Sequence, residues 1–344
     1  MKALALRATG GIEHLAVVQL AKPGGIGPGE ALVRVHAAAL NRLDLFVADG
    51  LPGVEYTFPH IIGSDGAGTV EDIGAGVWQV HPGDRVMIDP VLSCGRCRAC
   101  LEGEESLCAG LRVLGEHGSG TAAEYIVVPA ANLAPVPAAM SWPAAAAFSL
   151  ATLTAWRMLT ARARVRAGEV VLIWGVGGVG MAALLIARLL GAQPIVTSGS
   201  DAKLEVARRH GAREVINHTT ADVVAEVRRI TGGEGADVVV DSVGERTWSD
   251  SLRALRRGGR LVICGATTGP VVSLDLRRLF WRQWSVLGST LGSRGEYAEI
   301  VRLAHQGHLW PVVDQVVPLV EGPSALARLQ RGEPTGKLVI EVAP

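Results

Sequence analysis

Between residues 169 and 265, short apolar runs alternate with segments of helical character. A strand is predicted at Val170–Trp174, and a helix follows at Val179–Leu190 and ends at Gly191. Further strands are predicted at Pro194–Ser198, Glu214–Asn217, Asp237–Asp241 and Arg260–Gly265. Further helices are predicted at Asp201–His210, Thr220–Thr231 and Thr247–Arg257. Alternating β and α units build a doubly wound parallel sheet, so the sequence predicts an α/β fold with Ser285–Thr290 as a sixth strand.

The flanking segments have a different pattern. A chain of 344 residues is long for one core and suggests two domains. Residues 1–152 contain short strands between Gly/Pro turns, as in Ala31–His36 and Gly83–Asp89, which is typical of a β-rich domain. The sheet domain is then predicted at 153–291. The tail, 292–344, combines a predicted helix (Glu296–His305) with a strand (Lys337–Val342), and we expect it to pack back on the first domain.

A glycine motif lies between the first predicted strand and helix of the sheet domain. Residues 175–180 read Gly-Val-Gly-Gly-Val-Gly and contain G-x-G-x-x-G. Gly175 allows the tight turn, Gly177 lets the backbone approach a pyrophosphate, and Gly180 lets the helix pack close to the strand. Gly178 and Val179 lie at the helix N-terminus, whose free N–H groups bind phosphate. The strand–turn–helix context predicts a dinucleotide site.

The end of the second strand favours NADPH as the cofactor, with NADH possible. NAD sites usually carry an acidic residue there, which binds the ribose hydroxyls. This strand instead ends in Ser198-Gly-Ser200, and the first acid, Asp201, is expected to cap the next helix. Small hydroxyl residues with Lys203 suit a 2′-phosphate better than a free 2′-hydroxyl. Arg208 and His218 are further candidates, and Lys203 as a solvated helix residue remains the alternative.

Four of the five cysteines lie within fifteen residues. Zinc takes four thiolates tetrahedrally, and such closed sites are structural because no coordination position is open. Disulfides are not expected without a secretion signal, and an iron–sulfur cluster is not needed for hydride chemistry. The cluster therefore predicts one structural zinc per chain. Its ligands are Cys94, Cys97, Cys100 and Cys108.

Composition excludes several other classes of function. Lys+Arg and Asp+Glu both total 33, so no basic patch predicts a nucleic-acid partner. No apolar run reaches the length of a membrane span, and no signal peptide is recognisable. We therefore expect a cytoplasmic protein that acts on a small molecule.

Taken together, these motifs resemble the medium-chain dehydrogenase/reductase superfamily, which includes zinc alcohol dehydrogenases and quinone oxidoreductases. Supporting segments are Ala38–Asp44, Gly63–Gly68, Gly115–Tyr125 and Thr335–Lys337. The resemblance implies a GroES-like catalytic domain over residues 1–152, with the zinc lobe at about 90–112, followed by a Rossmann domain. It also implies a homodimer or homotetramer, in which Trp281 and Trp284 are core or interface residues. Further cofactor contacts are implied at Val243, Gly265, Ala266, Ser289 and Lys337.

The sequence departs from this family where a catalytic zinc is bound. The three ligand positions match Asn41, Ser64 and Leu150, and the proton-relay positions match Leu43 and Phe46. A catalytic zinc needs three protein ligands and one open position, which these side chains cannot supply. The chain thus resembles quinone and enoyl reductases that lack a catalytic zinc, but it carries the structural zinc lobe of an alcohol dehydrogenase.

The predicted activity is hydride transfer from NADPH to a quinone or an activated C=C bond. Asn41 is predicted to donate a hydrogen bond to the developing oxyanion. Asp44 and Asp65 either support it or cap turns, and His60 is either a proton donor or a loop residue. A rearranged zinc site formed by Asp44, His60 and Asp65 remains open, and so does an alcohol or carbonyl dehydrogenase. A non-catalytic nucleotide-binding protein is a third alternative.

Overall fold

The computed structural model of the protein describes residues 1–343. The strands are β1 Lys2–Leu6, β2 Leu15–Gln19, β3 Glu30–Ala39, β4 His60–Ile61, β5 Asp65–Ile73, β6 Arg85–Ile88, β7 Val91–Leu92, β8 Arg112–Val113, β9 Tyr125–Pro129, β10 Leu133–Pro135, β11 Val170–Trp174, β12 Gln193–Ser198, β13 Glu214–Asn217, β14 Ala236–Asp241, β15 Leu255–Ile263, β16 Ser285–Gly288, β17 Val313–Pro318 and β18 Lys337–Glu341. The α-helices are α1 Arg42–Asp49, α2 Arg98–Leu101, α3 Trp142–Ala146, α4 Ser149–Arg157, α5 Gly178–Leu189, α6 Asp201–Arg209, α7 Val223–Ile230, α8 Glu245–Ala254, α9 Leu276–Arg282, α10 Arg294–His305 and α11 Gly322–Gln330.

Contacts divide the chain into two compact units. The first joins residues 1–151 to the segment that begins at Gly292, and the second is 152–291. In the first unit a mixed sheet has the order β10-β6-β5-β3-β18-β17, with β9 also paired to β3. The late strand β18 is antiparallel to β3, with Val339 opposite Ala39. Apolar side chains that alternate along β3, such as Val33 and Val35, are fully buried in the main core of this unit.

The second unit contains one six-stranded parallel sheet with the order β13-β12-β11-β14-β15-β16. This is the order of two doubly wound halves that meet between β11 and β14. Val171, Leu172 and Ile173 of β11 are fully buried, as expected for a central strand covered on both faces. The predicted α/β fold class is confirmed.

Several element boundaries of the second unit differ from the sequence prediction, and two of them affect the argument. The helix predicted at Thr247–Arg257 ends at Ala254, because Leu255 already pairs with Ala236 at the start of β15. The strand predicted to reach Gly265 ends at Ile263. Cys264 therefore lies beyond the strand rather than in it, and burial raises the pKa of its thiol to about 12.

None of the helices between residues 1 and 343 combines the length and the hydrophobicity that a membrane span requires.

The stability of the fold depends on pH through Asp89, the residue that follows β6. The residue is 3% exposed, and its Oδ1 accepts a hydrogen bond from the backbone N–H of Val91 at 3.0 Å. Burial raises its pKa to about 7 from the usual 3.8. Between pH 3.8 and about pH 7, Asp89 therefore keeps its proton in the native state but loses it in the unfolded chain. This contribution to stability is complete below pH 3.8 and is lost as the pH rises towards 7.

We expect Asp89→Asn to be stabilised relative to the wild type as the pH rises. The amide keeps the acceptor for Val91 but has no proton to lose. The difference in free energy of unfolding should grow by about 3 kcal/mol between pH 5 and pH 8 in urea titrations. Asp72→Asn is the matched control, because the exposed Asp72 also accepts from a neighbouring backbone N–H. A difference that stays constant with pH would refute this account of Asp89.

Candidate functional site

Asp65 is the centre of a buried polar cluster in the first unit. It is the first residue of β5, lies opposite Ala39 of β3, and is fully buried. Its Oδ1 accepts the backbone N–H of Leu150 at 2.7 Å. Its Oδ2 accepts from Asn41 Nδ2 at 2.9 Å and from Lys337 Nζ at 2.7 Å. The carboxylate of Asp65 thus joins its own strand to three other segments of the chain, which contain Asn41, Leu150 and Lys337.

Lys337 is the cation of this cluster. It begins β18, and its side chain is 4% exposed. Besides Asp65, its ammonium donates to Asn41 Oδ1 at 2.5 Å. Asn41, Asp65 and Lys337 are called the lysine centre below. The resemblance implies that Lys337 contacts the cofactor, but here its ammonium is held by two side chains of the first unit.

The predicted role of Asn41 does not fit these contacts. Its amide nitrogen donates to Asp65 and to the carbonyl of Ala39 at 3.3 Å. An amide has only two N–H bonds, so neither is left for a substrate oxyanion. Asn41 therefore orients Asp65 and Lys337 instead. Sequence reasoning missed this because 296 positions separate Asn41 from Lys337.

In this structure the carboxylate of Asp44 accepts hydrogen bonds from backbone N–H groups. Its Oδ2 accepts the N–H of Asn41 at 2.7 Å, which caps the first turn of α1. Its Oδ1 accepts the N–H of Gly63 at 3.0 Å. Burial raises the pKa of Asp44 to about 6, partly offset by these hydrogen bonds and by Lys337. Of the two readings of Asp44, capping is the one that the contacts support.

Ser64 and His60 are also tied to the backbone. The Ser64 hydroxyl is fully buried and donates to the carbonyl of Leu114 at 2.7 Å. His60 Nε2 donates to the carbonyl of Gly115 at 2.8 Å, and burial lowers the pKa of the ring. A neutral His60 whose N–H is bound to a carbonyl does not support the role of proton donor, and the residue begins the short strand β4 rather than lying in a loop.

A catalytic zinc does not fit these side chains. Leu150, at the third ligand position, offers only its backbone N–H, which is bound to Asp65. The ammonium of Lys337 is hydrogen-bonded to Asn41, at a position where a zinc site needs an unprotonated ligand. Within the described part of the chain, Asp44, His60 and Asp65 do not form a group able to hold a metal ion. The rearranged zinc site considered from sequence is therefore not supported.

The four clustered cysteines do fit a metal. Their Sγ atoms all lie within 4.8 Å of one another, with Cys94 and Cys100 sulfurs 3.9 Å apart. Zinc–sulfur bonds of about 2.3 Å in a tetrahedron place sulfurs roughly 3.8 Å apart. Four cysteine sulfurs are a ligand set found in structural zinc sites. Geometry and ligand chemistry both suit a closed zinc site.

The glycine motif of the second unit has the geometry of a phosphate-binding turn. Gly175 follows β11 with φ +85°, a conformation that favours glycine. A Cβ on Gly180 would lie 2.2 Å from the carbonyl oxygen of Gly175, whereas one on Gly177 would meet no atom within 4 Å. No side chain caps the N-terminus of α5 at Gly178 and Val179. The open space and the uncapped helix end fit a pyrophosphate.

The residues predicted to face the ribose lie at the ends of β12 and β13. Ser198 ends β12, Ser200 precedes α6, and Lys203 lies in the first turn of α6. His218 packs against this loop, since its Nε2 would lie 3.2 Å from a Cβ on Gly199. Burial and the nearby Arg246 lower the pKa of His218. Arg246 was not predicted from sequence, because it follows a different strand, β14.

The other predicted cofactor residues follow the strands β14, β15 and β16. The backbone N–H of Val243 donates to Asp241 Oδ1 at 2.8 Å. Gly265 and Ala266 come two and three residues after β15. Ser289 comes directly after β16, and its buried hydroxyl has no partner among the described residues. An unsatisfied buried hydroxyl at the carboxyl end of a parallel strand is suited to a ligand.

Comparison with known proteins identifies the family. A family profile described as alcohol dehydrogenase GroES-like domain matches residues 27–138, and one described as zinc-binding dehydrogenase matches 178–306. The NAD-dependent alcohol dehydrogenase of Sulfolobus acidocaldarius is 31% identical over 99% of this chain and 100% of its own. The chain belongs to the medium-chain dehydrogenase/reductase superfamily. This dehydrogenase/reductase is thus an NAD(P)-dependent oxidoreductase.

Solved structures from the superfamily share its fold. An NAD-dependent alcohol dehydrogenase is 45% identical, with a TM-score of 0.96 and complete coverage of both chains. A crotonyl-CoA carboxylase/reductase in complex with NADP is 28% identical, with a TM-score of 0.90 over 99% of this chain and 94% of its own. The superfamily members similar to this dehydrogenase/reductase therefore include both alcohol dehydrogenases and a reductase.

Proposed function

We propose that this protein transfers hydride from NADPH to a C=C bond conjugated to a carbonyl group, or to a quinone, without a catalytic zinc. The observation that carries this proposal is the lysine centre. A lysine ammonium and a buried carboxylate take up the polar contacts of Asn41, and Leu150 offers only a hydrocarbon side chain. The one carboxylate of this centre is already paired with the ammonium, so the centre lacks the three protein ligands that a catalytic zinc needs.

The chemistry of the two candidate reactions separates them. Oxidising an alcohol requires loss of its proton, which a bound zinc normally assists as a Lewis acid. Reducing a conjugated C=C bond needs no such ionisation, because charge develops on the carbonyl oxygen, where a hydrogen-bond donor stabilises it. NADPH supplies the hydride when it is bound. The chain supplies the hydrogen-bond donor and the cofactor site.

The cofactor is inferred from the loop after β12. Ser198 and Ser200 stand where an NAD site carries an acid, and Asp201 is bound to Asn217 at 2.7 Å. Arg246, which lies near His218, adds a cation that suits a 2′-phosphate. The NADP bound to the crotonyl-CoA carboxylase/reductase supports this choice. The relatives named as NAD-dependent favour NADH, which remains the alternative.

Two further features belong to the proposed holoprotein. One structural zinc per chain is bound by Cys94, Cys97, Cys100 and Cys108. A homodimer or homotetramer is favoured by the edge strand β16 and the adjacent α9, where Phe280 and Trp281 are 66% and 67% exposed. Trp284, by contrast, is a core residue. The reduced cysteines suit a cytoplasmic location.

A second function, alcohol or carbonyl dehydrogenation, is favoured by the names of the similar proteins. Both functions are tested with purified protein by following NADPH and NADH absorbance. The proposed function predicts oxidation of NADPH with 2-cyclohexenone or a quinone, faster than any reduction of NADP or NAD with primary and secondary alcohols. Alcohol oxidation with no turnover of enone or quinone would overturn it. Cofactor binding without turnover of any substrate would indicate a non-catalytic protein.

A further inference from the structure

We propose that Lys337 is a catalytic residue, whose ammonium donates a hydrogen bond to the carbonyl oxygen of the substrate. This inference rests on the proposed function and names the group that replaces the missing metal. Lys337 begins β18, while Asn41 follows β3 and Asp65 begins β5, so three neighbouring strands bring the lysine centre together. The centre lies entirely within the first unit.

One N–H bond of the Lys337 ammonium has no acceptor among the described residues. An ammonium carries three N–H bonds. One is donated to Asn41 Oδ1 at 2.5 Å and one to Asp65 Oδ2 at 2.7 Å. No third acceptor for Nζ is present among residues 1–343. The two bonds fix the position of Nζ, so the third N–H is oriented before a substrate binds.

The alternative donors around the centre are already used. Both N–H bonds of Asn41 are donated within the protein, and the Ser64 hydroxyl donates to Leu114. The N–H of Leu150 is bound to Asp65. Lys337 is therefore the member of this group that has a hydrogen to offer a ligand.

The three members of the lysine centre are all buried. Asp65 has no exposed surface, whereas Asn41 is 7% and Lys337 is 3% exposed. The carboxylate of Asp65 neutralises the Lys337 ammonium inside a nearly fully buried group. In such a desolvated position, a charge-assisted hydrogen bond to an oxyanion is stronger than one between neutral groups.

The reaction step balances with Lys337 as donor. When bound, the reduced cofactor would supply a hydride that forms a C–H bond at the β-carbon of the enone. The π electrons of the C=C bond move to the bond between the α-carbon and the carbonyl carbon, and the carbonyl π pair moves to oxygen. Lys337 donates its hydrogen bond to this enolate oxygen and keeps its proton. A water molecule then protonates the α-carbon and leaves hydroxide, while the cofactor is left oxidised.

The test compares an enone with a nitroalkene in wild type and Lys337→Met. A nitro group stabilises the developing charge internally, so its reduction depends less on a hydrogen bond from the protein. We expect kcat for 2-cyclohexenone to fall by about 10²- to 10³-fold, and kcat for 1-nitrocyclohexene to fall by less than about 10-fold, with NADPH affinity unchanged. A merely structural role would reduce both rates equally.

A second variant controls for misfolding of Lys337→Met. Lys337→Met leaves Asp65 buried without its cation, so the double variant Asp65→Asn/Lys337→Met keeps the site neutral. It should fold and show the same selective loss on the enone. Equal losses on both acceptors, or an enone rate within about threefold of wild type in either variant, would overturn the role of Lys337. A wild type that reduces neither acceptor would instead overturn the proposed function itself.

Discussion

Replacing Asp65 with alanine is expected to lower the free energy of unfolding by about 3–5 kcal/mol. The substitution removes the acceptor for three donors at once, from Asn41, Leu150 and Lys337. It also leaves the Lys337 ammonium without a counter-ion at a side-chain exposure of 4%. A buried charge that loses its partner cannot regain its hydration, so the cost is that of an uncompensated ion.

The surface ion pair Lys22–Glu71 provides the matched control for Asp65. Its N–O distance of 2.9 Å is similar to the 2.7 Å of Lys337–Asp65, but its side chains are 43% and 38% exposed. Water and salt screen such a pair, so Glu71→Ala should leave the free energy of unfolding nearly unchanged. Urea unfolding followed by circular dichroism measures both variants. Equal costs for Asp65→Ala and Glu71→Ala would show that the lysine centre contributes no more than a surface pair.

Two alanine substitutions in the glycine motif should separate folding from cofactor binding. In Gly180→Ala the new methyl group would lie 2.2 Å from the Gly175 carbonyl oxygen, so helix α5 must move from β11. Such overpacking typically costs about 1–3 kcal/mol. In Gly177→Ala the methyl group enters open space. That variant should keep its stability, but the methyl group would occupy the space that the pyrophosphate needs.

We expect Gly177→Ala to bind NADPH at least about 10-fold more weakly than wild type, which corresponds to roughly 1.4 kcal/mol. Cofactor fluorescence titration measures the affinity, and thermal unfolding without cofactor measures the stability. Gly180→Ala should be impaired in both measurements. A Gly177→Ala variant with wild-type NADPH affinity would mean that the pyrophosphate does not approach Gly177.

Features that depend on short sequence spacing could be predicted from the sequence. The alternation of apolar runs and helices predicted the parallel sheet, since each strand and its helix are adjacent in the chain. The glycine motif spans six residues and lies between β11 and α5, as the pattern required. The four cysteines are likewise close in sequence, and their sulfurs lie within 4.8 Å of one another.

The lysine centre could not be predicted in the same way. Lys337 lies 296 positions from Asn41 and 272 from Asp65, and sequence spacing carries no information on such contacts. The sequence indicated only that zinc ligands were replaced at Asn41, Ser64 and Leu150. It could not show that both N–H bonds of Asn41 are donated inside the protein, which transfers the predicted donor role to Lys337.

Zinc content measured together with enone turnover tests the central claim most directly. We predict one zinc per chain in the wild type and in Cys264→Ser, and none in Cys108→Ser, because the single site is the four-cysteine cluster. NADPH oxidation with 2-cyclohexenone should proceed in wild-type protein that contains only this one zinc. Two zincs per chain, with activity lost on removal of the second, would contradict the account and favour alcohol dehydrogenation.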